Sequence, residues 1–342
     1  MTKEKFIPRI SLVLINLISD TEYSPKDHGV HTAYLNYAAM LEENNQKVVK
    51  NSFKKADVTS IHTVGPIGLF KLLTSKPTVV TAHIIPDSFV GSLIGVKYWY
   101  GLLKWYLTFF YSRANLVLAV SPKVESELIK MGVKNKIKLF PNPINTKFFK
   151  RDLEAQSRER EKLGISKNDF VVLGAGQIQT RKGIADFIET ARKLPNIKFV
   201  WIGGQPFKTI TEVDKKLSEE IEKKPDNLLL PGVFGYNEMP AIYNIADVFM
   251  LPSFQENAPM AVIEAASTGL PVVLRDLPEY KMLYKNGFYI GAKDNDFAGV
   301  IKRLSEDKKY YDESVIEAKK LSFEFSFKTL GPLLIKNYQS LI

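Results

Sequence analysis

Short runs of apolar and β-branched residues alternate with longer amphipathic segments along the whole chain. Ten such runs predict β-strands, and segments long enough for helices lie between them. The predicted strands are residues 10–18, 58–64, 77–83, 115–120, 136–140, 170–176, 197–204, 227–232, 247–253 and 270–276. Continuous apolar strands separated by helices are typical of parallel sheets that are covered on both faces. The pattern therefore predicts an α/β protein with two doubly wound, Rossmann-like units.

A charged, polar segment separates the first five predicted strands from the last five. It begins with a Pro-Asn turn and continues as a helix-like stretch without strand character, over residues 141–169, as expected of a domain boundary. We predict a first domain over 1–165 and a second over 166–324, with a terminal helix over about 325–342 that packs back on the first domain. Doubly wound sheets bind ligands beyond the carboxyl ends of their strands. Two facing units therefore predict an interdomain cleft.

Composition and charge narrow the classes of function. The 342-residue chain has no cysteine, which excludes disulfides, thiolate nucleophiles and cysteine-based metal sites. The opening "MTKEKFIPRI" does not match a signal peptide, and no apolar run reaches the ~18 residues of a membrane span, so a cytoplasmic protein is predicted. The net charge of +10 calls for an anionic partner such as acidic lipid or a phosphorylated substrate. Nucleic acid is not expected as a partner, because no nucleic-acid-binding motif is visible.

The loop after the first strand of the second domain reads "GAGQIQTRKG". It is neither a P-loop nor a dinucleotide fingerprint, because Gln179 stands where the third glycine belongs. Gly176 allows a close approach of the backbone, and Arg181 and Lys182 stand near a predicted helix start. Two cations beside helix N–H groups predict a pyrophosphate site. The alternative is an ordinary turn with solvated cations.

Two glutamates with seven residues between them stand in "SFQENAPMAVIEAASTGLPVV", after the predicted strand 247–253. The start of the next helix offers N–H groups near Glu256 for phosphate or sugar oxygens. Its residues are Asn257, Ala258, Pro259 and Met260. Glu264 follows about two turns later, near the same helix face at ~3.6 residues per turn. The spacing predicts a nucleotide sugar along the helix, with the ribose at Glu264 and the sugar at Glu256.

Together with the "RKG" loop and "PNPIN" between the domains, this stretch resembles glycosyltransferase family 4. The resemblance covers nearly the whole chain and implies retaining enzymes of the GT-B fold, in which two Rossmann-like domains face each other. It implies that Arg181 and Lys182 hold the donor diphosphate. It also implies that His83, which ends "VVTAH", lies beneath the reacting sugar, and that Gly29 in "DHGVH" approaches the donor phosphates and the acceptor. Two departures are Gln177, where many relatives have arginine, and a single Gly29 where a glycine pair is common.

The resemblance also indicates the chemistry. GT-B enzymes generally need no bound metal, so no metal or other cofactor is expected besides the nucleotide-sugar substrate, and the Asp-x-Asp at 294–296 is interpreted as a turn. No second carboxylate stands out as a covalent nucleophile. We therefore expect front-face attack by the acceptor hydroxyl, with the departing phosphate taking its proton. Arg181 and Lys182 are expected to stabilise the leaving charge.

The segment "KYWYGLLKWYLTFFYSR" (97–113) indicates the acceptor. As a helix it is ~25 Å long, shorter than the ~30 Å hydrocarbon core, with a narrow polar stripe between aromatic residues. Such helices suit the membrane interface, and the acid-free, lysine-rich residues 130–151 favour an anionic leaflet. The residues predicted to contact the membrane are Lys97, Trp99, Lys104, Trp105, Phe109 and Phe110. The alternative is a buried helix whose aromatic residues fill the core.

Four further segments resemble the family branch that glycosylates glycosyl-diacylglycerols, which includes the bacterial diglucosyldiacylglycerol synthases. They are "IHTVGP", "RKGIADFIE", "IKFVWIGG" and "LRDLPEY". The expectation is a peripheral, monotopic hexosyltransferase at the cytoplasmic face of the plasma membrane, which moves glucose from UDP-glucose to a monohexosyl-diacylglycerol. The alternatives are a soluble family-4 enzyme for capsule or wall polysaccharide, a GT-B nucleotide-sugar epimerase, and an inactive GT-B binding subunit.

Overall fold

The computed structural model describes residues 12–23, 29–89, 95–204, 215–284, 289–293 and 296–342. Within these ranges the chain forms two six-stranded sheets, and every strand pair in both is parallel. Helices connect the strands. This confirms the predicted pair of doubly wound α/β units.

The first domain is built on a sheet with the strand order β2-β1-β3-β4-β5-β6. Its strands are β1 (Leu14–Ile18), β2 (Lys47–Lys50), β3 (Val58–Ile61), β4 (Thr78–Ala82), β5 (Leu116–Ala119) and β6 (Ile137–Leu139). Its helices are α1 (Gly29–Glu43), α2 (Pro66–Thr74), α3 (Val96–Ser112) and α4 (Pro122–Lys130). The central strands β3, β4 and β5 are buried along their whole length, as expected of a parallel sheet with helices on both faces.

The second domain repeats this architecture with the order β12-β11-β10-β7-β8-β9. Its strands are β7 (Val171–Ala175), β8 (Lys198–Ile202), β9 (Leu228–Gly232), β10 (Val248–Leu251), β11 (Val272–Arg275) and β12 (Ile290–Ala292). The helices from the interdomain segment onward are α5 (Leu153–Lys162), α6 (Ile184–Lys193), α7 (Lys215–Glu222), α8 (Met239–Asn244), α9 (Met260–Ser267), α10 (Pro278–Leu283), α11 (Phe297–Glu306), α12 (Lys308–Glu324) and α13 (Phe327–Gln339).

Helix α5 packs on the second domain, although the predicted boundary near residue 165 puts it in the first. The buried Arg160 guanidinium donates to the carbonyl of Ile245 at 2.7 Å and to the Asp247 carboxylate at 2.9 Å. These acceptors lie between α8 and β10, so the chain enters the second domain before α5. From charge and polarity alone, a linker helix could not be distinguished from a helix that packs on a domain through a buried arginine.

Helix α13 returns to the first domain. Ile144 pairs with Ser326 in an isolated parallel bridge just before α13. The Tyr338 hydroxyl in α13 then donates to Ser60 Oγ of β3 at 2.8 Å. The end of the chain therefore contributes to the core of the domain in which the chain begins.

Candidate active site

The donor-side residues meet at the point where the second sheet reverses its strand order. Strands β7 and β10 are neighbours there, and their loops diverge, which opens a crevice at the carboxyl edge. The loop after β7 ends in a 3-10 turn, Thr180–Lys182, while the loop after β10 contains Glu256. Lys182 Nζ lies 2.5 Å from Glu256 Oε1, and Arg181 Nη1 lies 3.9 Å from Glu256 Oε2. The fold thus brings Glu256 to Lys182, 74 positions earlier in the sequence, and to the adjacent Arg181.

Glu256 is a buried carboxylate that two cations keep ionised. Burial by itself raises the pKa of this carboxyl, but the charges of Lys182 and Arg181 and the hydrogen bond from Lys182 hold the pKa below its ordinary value. The group is therefore an anion at neutral pH with its charge balanced inside the site. Such a carboxylate can accept hydrogen bonds from sugar hydroxyls, while the two cations can attract phosphate.

Glycines bring the two loops close enough for this contact. A Cβ on Gly183 would lie 2.1 Å from the carbonyl oxygen of Pro252 in the loop after β10, and Gly183 has a φ of 70°. Gly176 has a φ of 150°, and a Cβ there would meet the Lys182 side chain at 3.4 Å. Side chains at either position would strain the backbone or displace the cations. The glycines flanking the basic pair are thus required by close packing.

Glu256 lies in the loop before the helix, as the sequence indicates, but Glu264 lies nearer the start of the helix than the two turns expected. Helix α9 begins at Met260, which leaves Glu256 in the preceding loop. Glu264 lies one turn inside α9. Its carboxylate accepts a hydrogen bond from the Tyr243 hydroxyl at 2.7 Å, and burial raises the pKa of Glu264 to about 7. The helix N-terminus has no side-chain cap on its N–H groups.

The first domain contributes a histidine pair. His83 follows β4 and is buried, with Nε2 at 3.3 Å from His62 Nδ1. Burial lowers the pKa of His83 to about 3 and the pKa of His62 well below its ordinary value, where the neighbouring His83 contributes as well. Both rings are therefore neutral at physiological pH. Sequence reasoning named only His83, although His62 also follows a buried strand at the same edge and could have been found by the same rule.

The loops of the two domains touch across the cleft. Asn257 donates to the carbonyl of His83 at 3.1 Å and to Ser88 Oγ at 2.9 Å, and the Asn142 side chain donates to the carbonyl of Ala258 at 3.3 Å. Gly29 is the first residue of α1, and a Cβ there would lie 3.9 Å from the Met260 side chain at the start of α9. The predicted residues Gly29, His83, Asn257, Ala258 and Met260 thus lie at one place in the cleft.

Helix α3 is half buried and half exposed. Its outer face carries an apolar stripe at helical spacing, Tyr98, Leu102, Trp105 and Phe109, with Tyr98 84% and Trp105 65% exposed. Trp99 and Lys104 are exposed as well, while the side chain of Lys97 lies outside the described part of the structure. Phe110 is fully buried, so its prediction as a membrane contact is wrong. It lies on the inner face beside Leu107 and Tyr111, which pack in the core of the first domain.

Two other expectations concern absences. In the part of the chain that the structure describes, no helix is long and apolar enough to cross a bilayer, and no three histidine or carboxylate side chains cluster as metal ligands. Of the Asp-x-Asp at 294–296, the first two residues lie outside the described ranges. Asp296 caps helix α11 by accepting from the Gly299 N–H at 2.8 Å.

Two facing doubly wound domains, with a carboxylate and two cations at the switch point of the second, define the class of nucleotide-sugar-dependent transferases with the GT-B architecture. Residues 155–321 match the family Glycosyl transferases group 1, and residues 27–148 match Glycosyltransferase Family 4. The α-galactosylglucosyldiacylglycerol synthase of Streptococcus pneumoniae is 32% identical over 95% of this chain and 89% of its own. The chain belongs to glycosyltransferase family 4, which confirms the resemblance seen in its motifs.

Other relatives agree with this assignment. The processive diacylglycerol α-glucosyltransferase of Acholeplasma laidlawii is 25% identical over 95% of this chain and 98% of its own. Among solved structures, Anabaena HepE in complex with UDP and glucose superimposes with a TM-score of 0.74 at 17% identity, over 96% of this chain and 99% of HepE. Sucrose-phosphate synthase from Thermosynechococcus elongatus has the same TM-score at 16% identity, over 96% and 98% of the two chains. These structural likenesses establish the GT-B fold.

Proposed function

We propose that this protein is a retaining hexosyltransferase that moves a hexose, glucose foremost, from a UDP-hexose to a monohexosyl-diacylglycerol at the surface of an anionic membrane. The proposal rests above all on one observation. The loop that follows β4 contacts both the exposed aromatic helix α3 and the loop after β10, which contains Glu256. A lipid surface and an activated sugar would therefore meet at the same cleft.

The donor side follows from the switch-point residues. Arg181 and Lys182 would bind the diphosphate, Glu256 would accept hydroxyls of the hexose, and Glu264 would accept the ribose hydroxyls from within α9. The uncapped N–H groups at the start of α9 add partial positive charge where the diphosphate would lie. Gly176 would let the backbone approach it.

The chemistry requires stabilisation of separating charges. The C1–O bond to the diphosphate breaks, C1 gains oxocarbenium character, and a new bond forms from the acceptor oxygen on the same face of the sugar. A non-bridging oxygen of the departing phosphate takes the acceptor's hydroxyl proton, so atoms and charges balance. Fixed cations at Arg181 and Lys182 stabilise the leaving diphosphate most strongly in the transition state.

The acceptor side follows from α3 and its surroundings. Asn135 donates to the carbonyl of Ser112 at 2.9 Å, which places the exposed Lys134 and Lys136 near the C-terminal end of α3. Apolar residues flanked by lysines suit the boundary of an anionic leaflet.

The same helix contacts the cleft. The Tyr100 hydroxyl donates to Asp87 Oδ1 at 2.5 Å, the Tyr111 hydroxyl donates to the carbonyl of Ile84 at 2.6 Å, and Gln255 of the donor loop donates to the carbonyl of Asp87 at 3.4 Å. The headgroup of a lipid bound beside α3 would therefore lie close to His83, which is only a few residues from Asp87 in the sequence. The names of the pneumococcal and Acholeplasma relatives support acceptors of the diacylglycerol class.

The test is donor and acceptor screening with the full-length chain. Radiolabelled UDP-glucose and UDP-galactose are each incubated with diacylglycerol or monohexosyl-diacylglycerol in micelles with and without anionic lipid, and the linkage of the product is read by NMR. We expect transfer to the monohexosyl lipid with an α-linkage, stimulated by anionic lipid and lost in Glu256→Gln. Equal transfer to a water-soluble saccharide would favour the polysaccharide enzyme, and conversion of the donor without acceptor would favour the epimerase. An inverted linkage would refute retention.

A further inference from the structure

A continuous series of polar side chains runs through the core of the first domain and ends at His83. The Tyr338 hydroxyl in α13 donates to Ser60 Oγ at 2.8 Å. Ser60 Oγ lies 3.3 Å from His62 Nε2, and His62 Nδ1 lies 3.3 Å from His83 Nε2. All four side chains are buried. The series therefore links the last helix of the chain to the cleft through the ends of β3 and β4.

The direction of these hydrogen bonds follows from the first donor. Because Ser60 Oγ accepts from Tyr338, its own hydroxyl hydrogen can be donated to His62 Nε2. An imidazole that accepts at Nε2 and is neutral has its proton on Nδ1, which is then donated to His83 Nε2. His83 in turn has its proton on Nδ1. This order of donors and acceptors therefore selects the Nδ1-protonated tautomer in both His62 and His83.

The packing around His62 holds its ring in the orientation that this requires. The Tyr37 ring meets the His62 ring edge-on with centroids 4.6 Å apart, and the Tyr34 ring does so at 5.7 Å. These contacts come from α1, and aromatic pairs of this geometry are favourable. Rotation of the His62 ring would break both the packing and the hydrogen bonds.

We infer that His62 is a positioning residue: it holds His83 in the tautomer protonated at Nδ1, so that His83 presents an uncharged N–H donor to the sugar in the cleft. This inference rests on the proposed function, in which C1 of the hexose becomes positive. A charged imidazolium beside that carbon would oppose the developing charge, because like charges repel strongly in a buried site. A neutral donor can hold a sugar hydroxyl without this cost, and Ser60 and Tyr338 support its orientation from behind.

Two variants separate the hydrogen bond from the packing. His62→Phe keeps an aromatic ring against Tyr37 and Tyr34 but removes both nitrogens, whereas His62→Asn has an amide N–H near the position of Nδ1. With the full-length chain we expect kcat to fall about tenfold in His62→Phe, the effect of losing one buried hydrogen bond, with the KM for the UDP-hexose changed less than about twofold. His62→Asn is expected to recover most of kcat. Tyr338→Phe should change kcat in the same direction but by less.

The tautomer is measured directly by NMR of ¹⁵N-histidine-labelled protein, with the four histidines of the chain assigned by single substitutions. We expect His83 to be protonated at Nδ1 in the parent and to gain the Nε2-protonated form in His62→Phe. An unchanged His83 tautomer in that variant overturns the inference. Equal losses of kcat in the Phe and Asn variants, in parallel with lower melting temperatures, would make His62 a packing residue only. If the parent transfers no hexose, the proposed function fails, while the spectrum still decides the tautomer.

Discussion

At the scale of single residues, Glu256 and Glu264 have opposite environments. Glu256 is surrounded by cations that lower its pKa, while Glu264 is buried against one tyrosine hydroxyl, and burial raises its pKa to about 7. Both were found in the sequence from their spacing. Their difference was not predictable, because it depends on Lys182, some 75 positions away, and on Tyr243 in another helix.

The raised pKa of Glu264 predicts a stability change with pH. The unfolded carboxyl loses its proton near pH 4.5 and the folded one near pH 7, so the folded state binds more protons between these values. Its contribution to the free energy of unfolding is present below pH 4.5 and is lost as the pH rises through 7. Glu264→Gln stays neutral throughout. Relative to the parent, it should gain about 2–3 kcal/mol of stability between pH 5 and pH 8.

Denaturant unfolding of both proteins at pH 5 and pH 8 measures this gain. Tyr243→Phe is the matched variant, because the Tyr243 hydroxyl lowers the pKa of Glu264 and its removal should move the transition to higher pH. A difference between Glu264→Gln and the parent that is the same at both pH values would show that the carboxyl does not titrate in this range.

At the scale of elements, all the interior strands and the edge strands β6 and β9 were predicted, whereas the edge strands β2 and β12 were missed. All ten predicted strands are present, because burial on both faces requires continuous apolar runs. Each of the two missed strands, β2 and β12, lies at an edge of its sheet. β2 reads "KVVK" and is partly exposed, and β12 reads "IGA" with only three residues. Strands that are short and covered on one side leave too weak a pattern.

Helix α3 shows a similar limit, since its aromatic content indicated an interfacial helix without showing which face packs on the domain. The double variant Leu102→Ser, Trp105→Ser removes exposed apolar surface and should lower binding to anionic vesicles at least about tenfold. Its effect on the free energy of unfolding should stay within about 0.5 kcal/mol. Vesicle flotation and denaturant unfolding measure the two effects.

Phe110→Ala is the matched control for α3, because it removes one aromatic ring from the buried face of the same helix. It should cost about 3–5 kcal/mol of stability and, where the protein stays folded, leave vesicle binding unchanged. If the double Ser variant binds vesicles as well as the parent does, α3 is not the membrane contact.

At the scale of the whole molecule, polar contacts between loops and an ion pair join the two domains across the cleft, beside an apolar core that contains residues of both domains. Asn257 joins the domains through His83 and Ser88, and Lys123 of α4 forms an ion pair with Glu279 of α10 at 2.8 Å. The two predicted sheets were enough to predict the cleft. The contacts that close it, however, join residues as many as 174 positions apart. No local pattern encodes such a pairing, since it depends on how the domains dock.

Asn257 therefore has a role in closing the cleft besides its predicted place in the donor loop. Asn257→Ala removes two hydrogen bonds worth about 0.5–1.5 kcal/mol each, so the closed form should lose population and kcat/KM should fall about tenfold or more. Small-angle scattering should show a larger radius of gyration without donor.

Glu279→Gln separates closure from donor binding, because Glu279 lies outside the donor loop. It should also lower kcat/KM, by a smaller factor than Asn257→Ala does. Because this ion pair is partly exposed, added salt should lower the kcat/KM of the parent towards that of Glu279→Gln. Loss of kcat/KM in Asn257→Ala with unchanged scattering, and no effect of Glu279→Gln, would leave Asn257 as a ligand of the donor alone.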